Sequence, residues 1–136
     1  MWEQILVEHP TDLLAIKFAH DMSYFLGETN NIRDCVARVY KRWEKERNNT
    51  KTMGYIQGMY AFGLEETNLN SRAEEMGRKA FATNNSDTWA VHAVAHVMEM
   101  VHSSSQQEGR QKEGIKWLDY TYGYWKDCLG LYVHNC

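Results

Sequence analysis

Two histidines and a glutamate, His92, His96 and Glu99, lie at helical spacing in the second half of the chain. Residues three and four apart share one face of an α-helix, so all three side chains point the same way. Two imidazoles and a carboxylate are a ligand set that zinc accepts. Such spacing is common among ordinary packing and groove residues, and we weigh that alternative above a metal site. We therefore predict no cofactor, with His92, His96 and Glu99 as the candidate ligands if a metal is bound.

Other catalytic patterns are missing from the sequence. Zinc proteases of the His-Glu-x-x-His type need a glutamate directly after the first histidine, and Ala93 occupies that position. No Gly-rich phosphate loop, Gly-x-Ser-x-Gly elbow or EF-hand loop is present. Cys35, Cys128 and Cys136 form no Cys-x-x-Cys pair and are too few for a disulfide framework. We predict no catalytic residue, and the cysteine pattern favours a reducing cytoplasm.

Composition limits the classes of partner. Hydrophobic residues make up 43% of the chain and charged residues 24%, which is typical of a soluble globular protein. A formal net charge of -3 disfavours nucleic acid, because phosphates require a basic surface. No apolar run approaches the roughly 18 residues of a membrane-spanning helix. We expect neither a nucleic-acid nor a membrane partner.

Apolar residues recur at helical spacing through most of the chain, and Pro10 is the only proline. The pattern predicts an all-α protein made of helical hairpins at about 12–45, 54–82 and 87–123. Residues 44–52 are predicted to be a connector and residues 103–109 a polar loop. The start of a further helix is predicted at 126–136.

The hairpins repeat at a characteristic distance. The second unit runs from Gly54 to Asp87, which matches the tetratricopeptide period of about 34 residues. Small residues, Ala61, Ala73 and Ala80, stand where the two helices of such a unit approach closely. We predict a tetratricopeptide-like solenoid of about three hairpins in a single domain, with Gly63 and Ala73 at close contacts inside the second hairpin.

In this repeat frame the first helix of each unit lines a concave surface. The positions that would face the groove are aromatic, acidic and histidine-rich: Tyr55, Phe62, Glu65, Glu66, Trp89, His92, His96 and Glu99. Tetratricopeptide modules that hold a carboxyl terminus need cationic donors at such positions, and these glutamates would repel it. A basic, polar or aromatic ligand suits the groove better.

Five runs of the sequence go beyond the generic repeat. Residues 10–21, 58–68 and 89–100, together with 33–39 and 113–118, closely resemble the tetratricopeptide repeat protein 38 family. The resemblance covers nearly the whole chain. It implies a superhelical repeat fold in a longer protein and implies no activity or ligand. Members of that family continue with further helices where this chain ends at Cys136, so we expect a fragment that is incomplete at its C-terminus.

The leading functional hypothesis is a non-enzymatic binding scaffold whose concave groove holds a protein segment or a small ligand. The alternative is an enzyme or metal-dependent protein with a His/Glu site completed by residues beyond Cys136. A truncated product without an independent role is the third interpretation. Metal-binding measurements on the purified chain separate the first two hypotheses.

Overall fold

The computed structural model describes residues 1–48, 50–100 and 107–127. These residues form seven α-helices, and there is no strand among them, which confirms the all-α prediction. The helices are α1 (Trp2–Glu8), α2 (Leu13–Phe25), α3 (Thr29–Arg47), α4 (Lys51–Glu66), α5 (Asn70–Thr83), α6 (Thr88–Met100) and α7 (Gln107–Trp125). Within the described ranges, no helix is long and apolar enough to cross a membrane.

Side-chain caps mark the beginnings of α2, α4 and α6. The Asp12 carboxylate accepts a hydrogen bond from the Ala15 backbone N–H at 2.9 Å, and the Thr50 hydroxyl accepts one from Met53 at 3.2 Å. At α6, the Asp87 carboxylate accepts from the Trp89 N–H at 3.2 Å. Each cap satisfies an amide that has no partner within its helix, so the helix start is encoded locally.

Two residues with positive φ allow the chain to reverse between paired helices. Gly27, at φ 70°, lies between α2 and α3, and Asn68, at φ 60°, lies between α4 and α5. Glycine adopts this left-handed conformation without steric cost, and asparagine tolerates it better than most other residues. The tight turns set α2 against α3 and α4 against α5.

Each helix packs against the next one along the chain, and α4 also packs against α6. Gly63 of α4 is essential to one of these crossings, because a Cβ there would lie 2.6 Å from the Arg33 Cα of α3. We predicted that Gly63 lies at a contact inside the second hairpin, and this is wrong: the backbone it approaches belongs to the first hairpin. Ala73 is fully buried beside Leu64 and Val97, so three helices meet at it.

Helix boundaries differ from the sequence prediction at three places. Helix α1 was not predicted. Helices α3 and α4 extend into the expected connector and leave only residues 48–50 between them, because its Lys, Glu and Arg residues are good helix formers and Arg42 pairs with Glu46 one turn away. Helix α7 begins at Gln107, inside the predicted loop. The rest of that loop and residues 128–136, including Cys128 and Cys136, lie outside the described residues.

Candidate ligand-binding site

Helices α2, α4 and α6 meet through a cluster of rings, which we call the aromatic cluster: His20, Tyr24, Phe62, Trp89 and His92. The Phe62 and Trp89 ring centroids are 4.5 Å apart, and both rings also lie near His20, with centroids 5.8 Å away. His92 lies 5.7 Å from Phe62. Tilted and edge-on arrangements at these distances are the favourable ones for aromatic pairs. The cluster therefore links side chains of α2, α4 and α6.

A second group adjoins the aromatic cluster, and we call it the His–Glu cluster: Glu65 on α4 with His92 and His96 on α6. His96 Nδ1 lies 2.8 Å from Glu65 Oε1, a hydrogen bond between residues of different hairpins. The two imidazole centroids are 4.9 Å apart. One potential ligand atom from each of the three residues lies within 4.8 Å of the others. The packing of α4 against α6 creates this arrangement.

Negative charge surrounds His96. The hydrogen bond to Glu65 raises the pKa of His96 above its ordinary value, and the charges of Glu65, Glu99 and Glu66 raise it further. Burial and the neighbouring Glu65 charge also raise the pKa of Glu66. Three carboxylates from two helices thus act on one imidazole, so the electrostatic field here favours positive charge.

Two clefts are bordered by members of these clusters. One, of about 330 Å³, lies between α6 and α7 and is bordered by His92, His96 and Glu99. The other, of about 210 Å³, is apolar and is bordered by Tyr55, Trp89 and residues near the start of α2. The first lies at the lower end of the volumes of small-molecule pockets, about 300–1,000 Å³, and the second lies below them, so the second suits one side chain or one small group.

The structure divides the sequence-predicted groove rather than presenting it as one surface. Tyr55 is 41% exposed and Glu99 is exposed, whereas Phe62, Glu65 and His92 are buried. We predicted that Phe62 and Glu65 face an accessible concavity, and this is wrong. Trp89 covers Phe62, and His96 lies over Glu65, because α6 packs closely on α4. Trp89, His96 and Glu66 are partly exposed at the edges of the buried region.

A buried carboxylate, Asp87, holds the start of α6 in place. It is 2% exposed, and burial raises its pKa to about 7. Gly58 of α4 makes room for it, since a Cβ at that position would lie 1.7 Å from Asp87 Oδ2. Asp87 therefore anchors the first turn of α6 against α4, and this contact positions Trp89 and His92 on that helix.

The sequence placed Glu65 in the same predicted groove as the histidines but chose Glu99 as their partner for a metal, whereas His96 shares a hydrogen bond with Glu65. His20 and Tyr24 are not among the predicted groove residues. His20 is fully buried among the rings, and the Tyr24 ring centroid lies 5.8 Å from that of Phe62. The repeat period could have indicated Glu65 as the partner of His96. It aligns Glu65 with Glu99 in successive units, so both residues are predicted on the same side of the repeat.

Cys35 gives no support to a thiol nucleophile. It is the only cysteine within the described residues, is 2% exposed and donates its S–H to the Ile32 carbonyl. Burial raises the pKa of the thiol to about 12, so the reactive thiolate is not populated at neutral pH.

The sequence matches no model of a protein family, and no solved structure matches the chain significantly.

Proposed function

We propose that this protein is a non-enzymatic binding scaffold, a tetratricopeptide-like solenoid that holds a protein segment or small ligand along α2, α4 and α6. Two features support the architecture. Rings from α2, α4 and α6 meet in the aromatic cluster, and α4 packs on both α5 and α6. The resemblance to the tetratricopeptide repeat protein 38 family is consistent with it. A cytoplasmic setting agrees with the free, buried Cys35.

The observation that carries the ligand class is the convergence of Glu65, Glu66 and Glu99 on His96. Glu99 borders the cleft, and Glu65 and Glu66 act on the same imidazole from α4, so this negative charge attracts cations and repels carboxylates. The neighbouring cleft presents Tyr55 and Trp89, whose rings can stack on an aromatic group or receive a cation on their faces. We infer that the ligand carries a cationic group together with an aromatic or apolar one.

Two labelled peptides of equal length test this proposal. One alternates Lys or Arg with Tyr, and the other replaces every basic residue with Glu. Fluorescence anisotropy with the 136-residue chain is expected to show binding of the basic peptide only. Tyr55→Ala and Glu99→Gln should each weaken that binding, because both residues border a cleft and are exposed.

Glu75→Gln is the matched control. Glu75 is exposed on α5, so this substitution removes one negative charge at a position away from both clefts. Equal binding of the two peptides would contradict the proposal. So would a loss with Glu75→Gln as large as that with Glu99→Gln, because attraction by net charge alone would explain it.

A further inference from the structure

Three side chains with metal-binding chemistry come together where α4 meets α6. They are Glu65, which is 3% exposed, His92, which is 4% exposed, and His96, whose side chain is 38% exposed. One potential ligand atom from each lies within 4.8 Å of the other two. The residues are spread over 31 positions of sequence, so only the tertiary packing assembles them.

We propose that Glu65, His92 and His96 form a binding site for a divalent transition-metal ion of the zinc type. Two imidazoles and one carboxylate are the three protein ligands of many zinc sites that keep a fourth position open. Imidazole nitrogen selects zinc and its transition-metal neighbours over magnesium and calcium, which prefer all-oxygen sites. This site goes beyond the scaffold function, and it replaces the ligand set of the sequence, in which Glu99 took the place of Glu65.

The geometry needs only side-chain rotation. Bonds of about 2.0–2.1 Å in a tetrahedron put the ligand atoms about 3.3 Å apart. The ligand atoms of Glu65, His92 and His96 now lie within 4.8 Å of one another, so each atom must move by about an ångström or less. Rotations about the side-chain bonds can produce such shifts. His92 and His96 are four apart on one helix, which is a spacing that allows both imidazoles to ligate one ion.

An unsatisfied buried oxygen is a second and independent indication. Glu65 Oε2 is buried and has no hydrogen-bond partner among the described residues. A buried carboxylate oxygen without a partner is costly, and native structures rarely leave one. A cation bound between Glu65 and the two imidazoles would compensate this group.

An entry path and an open coordination position are both present. His92 and His96 border the cleft of about 330 Å³ between α6 and α7, whereas Glu65 is not part of its lining. Glu65 would therefore bind the ion from the buried side, and the fourth coordination position of the ion would face the cleft. Water or an electron-donating group of a ligand could fill that position.

Zinc itself is the probe. Isothermal titration of Zn²⁺ into the chelator-treated chain is expected to show one-to-one binding, and Glu65→Gln and His96→Gln should each abolish it. Glu99→Gln should leave it intact, which separates this site from the set predicted by sequence. His9→Gln is the control for an exposed histidine elsewhere. Circular dichroism confirms that each variant is helical.

The absorption spectrum of Co²⁺ in the unaltered chain is a second readout that needs no variant. We expect intense visible bands of a four-coordinate ion, which Zn²⁺ should displace. The proposal is overturned if Zn²⁺ does not bind stoichiometrically, if Co²⁺ shows only the weak bands of its hydrated form, or if binding survives Glu65→Gln. Because Glu99→Gln should weaken the basic peptide but not zinc, failure of this site and failure of the scaffold function are distinguishable.

Discussion

Replacing Asp87 by asparagine should make the stability of the protein less dependent on pH. The Asp87 carboxylate is 2% exposed, and burial raises its pKa from 3.8 to about 7. The folded protein therefore binds a proton more tightly than the unfolded chain. Stability from this group is fully present below about pH 4 and is lost as the pH rises through about 7, where the buried carboxylate must ionise.

The size of the effect follows from the two pKa values. A difference of about 3 corresponds to about 4 kcal/mol, since each pH unit contributes about 1.4 kcal/mol. The partial positive charge at the start of α6 opposes it by about 1–2 kcal/mol, because it stabilises an ionised cap. A net loss of roughly 2–3 kcal/mol is large against a typical total stability of about 5–15 kcal/mol.

Asparagine keeps the capping oxygen but carries no charge. In urea unfolding, Asp87→Asn and the unaltered chain should have similar free energies of unfolding near pH 4. Near pH 8 the variant should be more stable by roughly 2–3 kcal/mol. Asp12→Asn is the matched control, because Asp12 caps α2 in the same way at a position that water reaches. A difference between the Asp87 variant and the unaltered chain that stays constant over this pH range would refute the reasoning.

Packing makes three further predictions, each measured by urea unfolding. Gly63→Ala should destabilise by about 1–3 kcal/mol, because its Cβ would press on the α3 backbone. Gly123→Ala, where the added Cβ meets nothing within 4 Å, should be neutral or slightly stabilising, and an equal loss at both glycines would contradict the close crossing. Ala73→Leu should cost about 1–3 kcal/mol, and unchanged stability would mean that the three-helix contact around it is wrong. Phe62→Ala should cost about 3–5 kcal/mol because the ring is buried. A loss below about 1 kcal/mol would instead indicate that Phe62 is exposed, as the sequence predicted.

Local signals in the sequence determined most of the helices. Apolar spacing places α2 to α6 near their observed ranges, because a helix that packs on one face repeats its apolar residues every three to four positions. The caps Asp12 and Asp87 are likewise local features, since a capping side chain bonds to an amide two or three residues away. Helix α1 was missed because a seven-residue helix is too short to show a clear period.

The shared face of His92 and His96 is likewise a property of one helix, and the sequence alone predicted it. Their acidic partner is not. Glu65 meets His96 only because α6 packs on α4, and Glu99, the partner that spacing favoured, lies on the same helix and is exposed. Periodicity describes one helix at a time, so it cannot tell which residue of a neighbouring helix arrives opposite a given side chain.

The burial of individual side chains also depends partly on local sequence and partly on tertiary packing. The repeat frame predicts Phe62 and Trp89 on the same side of successive hairpins, but the distance between α4 and α6 decides whether the two rings contact a ligand or each other. At 4.5 Å they face each other, and Phe62 is closed off while Trp89 keeps an exposed edge. That distance is set by Gly58, Gly77 and the small residues between α4, α5 and α6, whose missing or short side chains let the backbones approach. The side of a helix that a residue occupies is therefore encoded locally, whereas its exposure depends on how closely the next helix packs.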